Sequence, residues 1–151
     1  MKKLIYTLLI IIALTNNSFS AGDSNTTAKA SDYTKAKNLI KAAKKYEKKG
    51  KIDKAQERYA KAQKLLLKSN EIKPLQADTL NYLGFTTRKL GDYEKGEKFY
   101  LLGLQVEPNH NGINEYLGEL YVATNRMDMA KERLEVLKTC NCEEYEELKE
   151  I

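Results

Sequence analysis

The sequence predicts an all-α fold built from stacked helical hairpins. Residues 77–110 and 111–144 repeat with a period of 34. Leu83-Gly84 falls on Leu117-Gly118, Gly91 on Asn125, Tyr93 on Met127, Gly96 on Ala130 and Tyr100 on Leu134, and Gly103 on Leu137 is the one mismatch in size. A period in this range means one supersecondary unit repeated and stacked into a solenoid. From Asp32 onward apolar residues recur at intervals of three and four, the mark of amphipathic helices. The chain has only two Pro and no run of alternating β-branched residues. A solenoid offers an extended concave surface for binding, and this points away from catalysis.

The elements follow in chain order. Residues 1–20 read as a secretory signal peptide. Lys2 and Lys3 form a basic start, residues 4–14 are apolar apart from Thr7, and Ser18 and Ser20 hold the −3 and −1 places before Ala21. Eleven apolar residues are too few to span about 30 Å of hydrocarbon, and no second such run follows. The mature chain is therefore expected in the periplasm, without a transmembrane segment. No Cys stands at the cleavage site to accept a lipid. Residues 21–31 (AGDSNTTAKAS) are small, polar and aperiodic, so they read as a disordered leader.

Residues 32–151 are expected to fold as one domain. Asp32–Lys49 forms a helix with Tyr33, Ala36, Leu39, Ile40, Ala43 and Tyr46 on its apolar stripe, and Gly50 is its left-handed cap. A second helix follows Asp53, buries Ala55, Tyr59, Ala62 and Leu66, and is closed by Pro74. Asp78–Leu90 turns at Gly91-Asp92 into Tyr93–Val106, which Pro108 stops. Gly112–Thr124 and Asp128–Thr139 repeat that hairpin. Glu143–Ile151 is a short acidic helix, suited to the polar outer face that a terminal repeat needs.

Charge is divided between the halves. Residues 21–74 hold 15 basic and 6 acidic residues, net +9, and residues 75–151 hold 9 basic and 15 acidic, net −6. A basic stripe can mean nucleic acid, but export removes the chain from cytoplasmic nucleic acid. What remains is a solvated lysine face or a docking surface for an acidic partner or anionic envelope surface.

The pattern of small and large residues resembles the tetratricopeptide repeat (TPR). The central unit carries it with Leu80, Leu83, Gly84, Gly91, Tyr93, Gly96, Tyr100, Gly103 and Pro108, and departs at Thr87, where the family prefers Tyr. The last unit matches at Leu117, Gly118, Tyr121, Ala130 and Leu134, and departs at Leu137 and Cys142. The first matches at Leu39, Ala43, Tyr46, Gly50, Ala55, Tyr59 and Ala62. Its Pro74 comes seven residues late, about two helical turns, which implies a longer second helix with its phase kept. The resemblance implies three hairpins, at about 36–76, 77–110 and 111–144, plus a capping helix at 143–151. It also implies that ligands lie in the concave groove lined by the first helix of each unit. There it places Asp78, Asn81, Phe85, Arg88 and Lys89 of the central unit, Lys37, Ile40, Lys44 and Lys48 of the first, and Glu115 and Glu119 of the last. Asn81 would grip a peptide main chain, Phe85 would seat an apolar side chain, and Lys44 or Lys89 would meet a carboxylate. The family's carboxylate clamp is not complete here.

Cys140 and Cys142 are the only cysteines. Three uses stand open: a disulfide stapling the last turn, free or intermolecular thiols, or a soft-metal or redox site with Met127 and Met129. The tail Cys-x-Cys-Glu-Glu-Tyr is similar to that of small exported repeat proteins of Gram-negative bacteria, in which two nearby Cys bracket the turn into a final helix. His110 reads as a surface-loop residue without a catalytic or metal constellation. No phosphate loop, serine-hydrolase or zinc motif occurs. The expected function is a non-catalytic scaffold without cofactor or resident metal, holding a peptide or helix of an envelope protein. The alternatives are a periplasmic thiol-disulfide or copper-handling protein using Cys140 and Cys142, and a purely structural or oligomeric envelope component.

Overall fold

The structure, a computed structural model, describes residues 24–151, with side chains from Asp32. The signal peptide and its cleavage site lie outside the described residues. Among the described residues seven helices follow one another: α1 (Ser24–Glu47), α2 (Ile52–Ile72), α3 (Ala77–Lys89), α4 (Tyr93–Val106), α5 (Asn111–Ala123), α6 (Met127–Leu137) and α7 (Glu143–Lys149). They pair as three antiparallel hairpins, α1/α2, α3/α4 and α5/α6, and α7 packs on α5 and α6. The leader, expected to be disordered through Ser31, is helical from Ser24. Once a helix is nucleated, each added residue brings one hydrogen bond for one residue fixed.

The turn between the helices of each hairpin is the same device used three times. Gly50, Gly91 and Asn125 all take positive φ, at 67°, 97° and 59°. Just beyond them the N–H groups of Lys51, Asp92 and Arg126 bond back to the carbonyls of Tyr46, Thr87 and Tyr121. This is the Schellman arrangement, which satisfies the orphan carbonyls of a helix end. Asn tolerates the left-handed region better than most residues, so Asn125 serves where the other units use Gly.

Helix α2 has 21 residues against 14 in α4. Its buried residues Ala55, Tyr59, Ala62, Leu66 and Ser69 continue the spacing of Gly96, Tyr100 and Gly103 in α4 by one further heptad. The late Pro74 thus adds about two turns and leaves the buried face where it was.

Packing depends on the small residues of the repeat. A Cβ added at Gly84 would lie 2.4 Å from the Tyr100 ring, and one at Gly118 would lie 2.5 Å from Leu148. Leu148 is the one α7 side chain in the core. Thr87 stands where the resemblance expects Tyr, and the space is closed by a polar link from α2, in which Gln63 Nε2 donates to Thr87 Oγ1 at 2.8 Å. Leu137 is 1% exposed. At the equivalent place Gly103 receives Ile113 of the next unit. One period after Ile113 stands Glu147, so here the apolar volume comes from α6 itself.

Gly84→Leu drives a branched side chain into the Tyr100 ring. Overpacking of this kind costs about 1–3 kcal/mol, and thermal melting should show a drop of roughly 5–15 °C for a domain of this size. An unchanged melting temperature would refute the helix register described above.

Candidate functional site

The first helices of the units line a concave groove of about 530 Å³. One wall is α1, with Lys37, Lys41, Lys44, Lys45 and Lys48, and the floor is Ile40, Tyr82 of α3 and Tyr116 of α5. Lys37, Lys41, Lys44 and Lys48 recur at intervals of four, three and four, which places them on one helical stripe. Lys37, Lys41, Lys45 and Lys48 are exposed, and none pairs with a carboxylate among the described residues. Lys44 is held: its Nζ donates to the Tyr116 hydroxyl at 2.9 Å and lies 4.9 Å from the Phe85 ring centroid.

The groove residues anticipated from the repeat are brought together, but most are engaged with one another. Phe85 is 2% exposed, between Tyr59 of α2 at 5.7 Å and Tyr116 at 4.8 Å, with Lys44 above it. It is no open seat for an apolar side chain, because the long side chains of the neighbouring units reach across it. Asn81 is 5% exposed, with its amide packed against Gly112 of the next unit. Arg88 is buried and paired with Glu119. Lys89 Nζ donates to Glu47 at 3.2 Å, and Glu47 also accepts from the Tyr59 hydroxyl at 2.7 Å. The groove cations without a carboxylate partner among the described residues all belong to α1, and Lys37, Lys44 and Lys48 among them stand at places the repeat assigns to the groove.

At the other end of the concave face the groove turns acidic. Glu115 of α5 is 2% exposed, with Glu147 of α7 within hydrogen-bonding reach and Glu119 one turn away. Burial first, then the bond to Glu147 and the charges of Glu119 and Glu147, push the Glu115 carboxyl up to about 9. It is therefore protonated at neutral pH and can donate to the Glu147 carboxylate. Burial, then the nearby Glu115, also raises the Tyr116 hydroxyl.

Three features lay outside the sequence reading. His110 caps α5: its Nδ1 accepts from Ile113 N–H at 3.2 Å, so Nε2 carries the proton toward Asp78 Oδ1 at 3.3 Å. Its place just before an apolar helix was the available signal. Arg126 forms a two-pronged bond to Glu97, 2.8 Å on each arm, and stacks 4.5 Å from the Tyr121 ring centroid. No local pattern announces a contact 29 residues apart. Asn114 ties the loop between units by donating to the Pro108 and His110 carbonyls.

The sulfurs of Cys140 and Cys142 are placed in disulfide contact, with Cα atoms 5.2 Å apart across Asn141 at positive φ. Met127 and Met129 are exposed on α6. No group of three or more His, Cys, Asp or Glu suited to a metal ion occurs among the described residues.

The fold is that of a tetratricopeptide-repeat solenoid. The chain superposes on the Yersinia enterocolitica type III secretion chaperone SycD, solved in complex with a peptide of the translocator YopD, at 17% identity over 76% of this chain and 83% of that one, with a TM-score of 0.53. It is similar to the second TPR domain of human RPAP3 in complex with the HSP70 peptide SGPTIEEVD, at 17% identity over 81% and 96%, TM-score 0.52. It is also similar to the first TPR domain of human RPAP3, at 22% identity over 77% and 88%, TM-score 0.51. No family model and no curated protein matches the sequence.

The Glu115 carboxyl gives stability a defined dependence on pH. Below about pH 4.5 both the folded and the unfolded chain hold the proton, and the group is neutral to stability. Between there and about pH 9 the unfolded chain releases the proton and the folded chain keeps it, so stability falls as pH rises. Glu115→Gln keeps a donor toward Glu147 and removes the titration. Its stability relative to the parent should be unchanged near pH 4 and higher by at least about 1 kcal/mol at pH 8. Denaturant unfolding at both pH values decides it, and a constant difference would mean that Glu115 titrates normally.

Proposed function

We propose that this protein is a non-catalytic scaffold of the bacterial cell envelope that binds an acidic segment of a partner protein in its concave groove. The observation that carries this reading is the stripe of unpaired α1 lysines over the Tyr82 and Tyr116 rings. Such a wall attracts carboxylates, and the rings offer apolar surface with polar tips. Two of the similar folds hold peptides, and the same mode is proposed here. The buried Asn81 and Phe85 hold the groove in shape, and partner contact falls to the α1 lysines, with Lys44 at the centre.

The periplasmic setting is supported by the signal-peptide features of residues 1–20 and by the Cys140–Cys142 pair, which an oxidising compartment allows to close. We propose that the pair is a disulfide that stiffens the turn into α7. The loop is so short that its closure entropy is worth at most about 1.5 kcal/mol. One measurement reads both proposals. Intact mass of exported protein under non-reducing conditions should equal the chain from Ala21 less two hydrogens. A species that keeps residues 1–20 removes the periplasmic assignment. Two alkylatable thiols in fresh material would favour the thiol or copper reading.

The groove is tested by cross-linking capture from periplasm. Lys41→Glu combined with Lys48→Glu changes exposed side chains and should leave melting unchanged while abolishing capture of the partner. Phe85→Ala does not serve as the test, because removing a buried aromatic costs about 3–5 kcal/mol by itself. A captured set unchanged by the lysine variant would move the binding surface elsewhere.

A further inference from the structure

We propose that the acidic face of α7 docks into the lysine groove of a second copy of this chain, joining copies head to tail. This rests on the reading of the groove as a binding face and names an occupant for it. Lys41, Lys44 and Lys48 are spaced by three and four residues along α1, and Glu143 and Glu146 of α7 with Glu150, its C-cap in helical conformation, repeat that spacing. At 1.5 Å per residue each triad covers about 10.5 Å, so two helices laid parallel bring the charges opposite one another in register. Glu143, Glu146 and Glu150 are exposed, whereas Leu148 turns inward to Gly118. Lys41 and Lys48 are unpaired among the described residues, and Lys44 spends one of its three donors on Tyr116.

The acidic helix cannot satisfy its own groove. Helix α7 touches α5 and α6 and not α1. The two charged surfaces lie at opposite ends of the row of hairpins, as the net charges of +9 and −6 on the two halves already suggest. A contact between unlike surfaces is heterologous: it links copies head to tail, into a ring where the rotation between copies closes and into an open row where it does not. Helix α7 is already folded on Leu148, so docking orders little new chain. The pairs are solvent-exposed and individually weak, so assembly should need high protein concentration and low salt.

Sedimentation velocity on the purified protein tests this. At about 20 mM salt the weight-average mass should climb with concentration, and at about 300 mM it should stay that of one copy, because screening shortens the reach of exposed charges. Lys41→Glu with Lys48→Glu should abolish the climb, as should Glu143→Lys with Glu146→Lys. An equimolar mixture of the two double variants should recover association, since each then carries a face complementary to the other. Overturning results are a parent that stays a single copy at low salt, a variant that still assembles alone, or a mixture that does not associate. The α7 variant leaves the groove intact. If assembly fails but that variant captures the partner as the parent does, the groove remains a binding face and only its self-occupancy falls.

Discussion

The structure depends on the ring of Phe85. Tyr59 meets it edge-on from the first hairpin, Tyr116 packs on it from the third with the rings tilted by 41°, and Lys44 of α1 lies over its face. Aromatic contacts of this geometry are worth about 0.5–1.5 kcal/mol each beyond the area they bury. Here they do something that area alone does not: they make one ring common to three hairpins. Tyr116 also packs against both apolar clusters of the core. The groove floor thus rests directly on the core: Ile40 belongs to it, and Tyr82 and Tyr116 pack against it.

Polar groups follow the same economy. Glu47 collects Tyr59 and Lys89, Glu119 takes Arg88, and Glu97 takes Arg126. Glu47 ties α1 to α2 and α3, Glu119 ties α5 to α3, and Glu97 ties α4 to the turn before α6, and each pairing withdraws charge from solvent. Charge that is not used in this way stays on the surface, mostly cationic on the first hairpin and mostly anionic on α7. The polarity of the molecule is what remains after the interior has paired its own ions.

Much of this was legible in the sequence. Gly84, Gly118 and Tyr100 gave away the hairpins because close helix approach admits only a narrow range of sizes. The turns were legible because positive φ selects Gly or Asn. The extra length of the second helix was visible in the position of Pro74. The state of the groove was not visible. Phe85 holds a place that faces the concave side, and its burial is decided by how far Lys44 and Tyr116 reach from other helices. The pairings of Arg88, Lys89 and Arg126 are likewise set by tertiary neighbours. The protonated Glu115 needed the position of Glu147, 32 residues on, to be recognised. Leu137 stood out as a mismatch, and the reason it is tolerated lies in Glu147, which leaves unfilled the volume that Ile113 supplies one unit earlier.

The added heptad of α2 bears on how such a chain can change length. Seven residues turn a helix through about 700°, only 20° short of two full turns, so Leu66 and Ser69 land on the face already set by Ala55, Tyr59 and Ala62. An insertion of two or five residues would instead swing every later side chain to the wrong side. Lengthening in steps of seven therefore passes unnoticed by the core, and each step moves the next unit about 10.5 Å along the helix axis. Repeat spacing in this architecture can grow by whole heptads while every packing contact before the insertion stays the same.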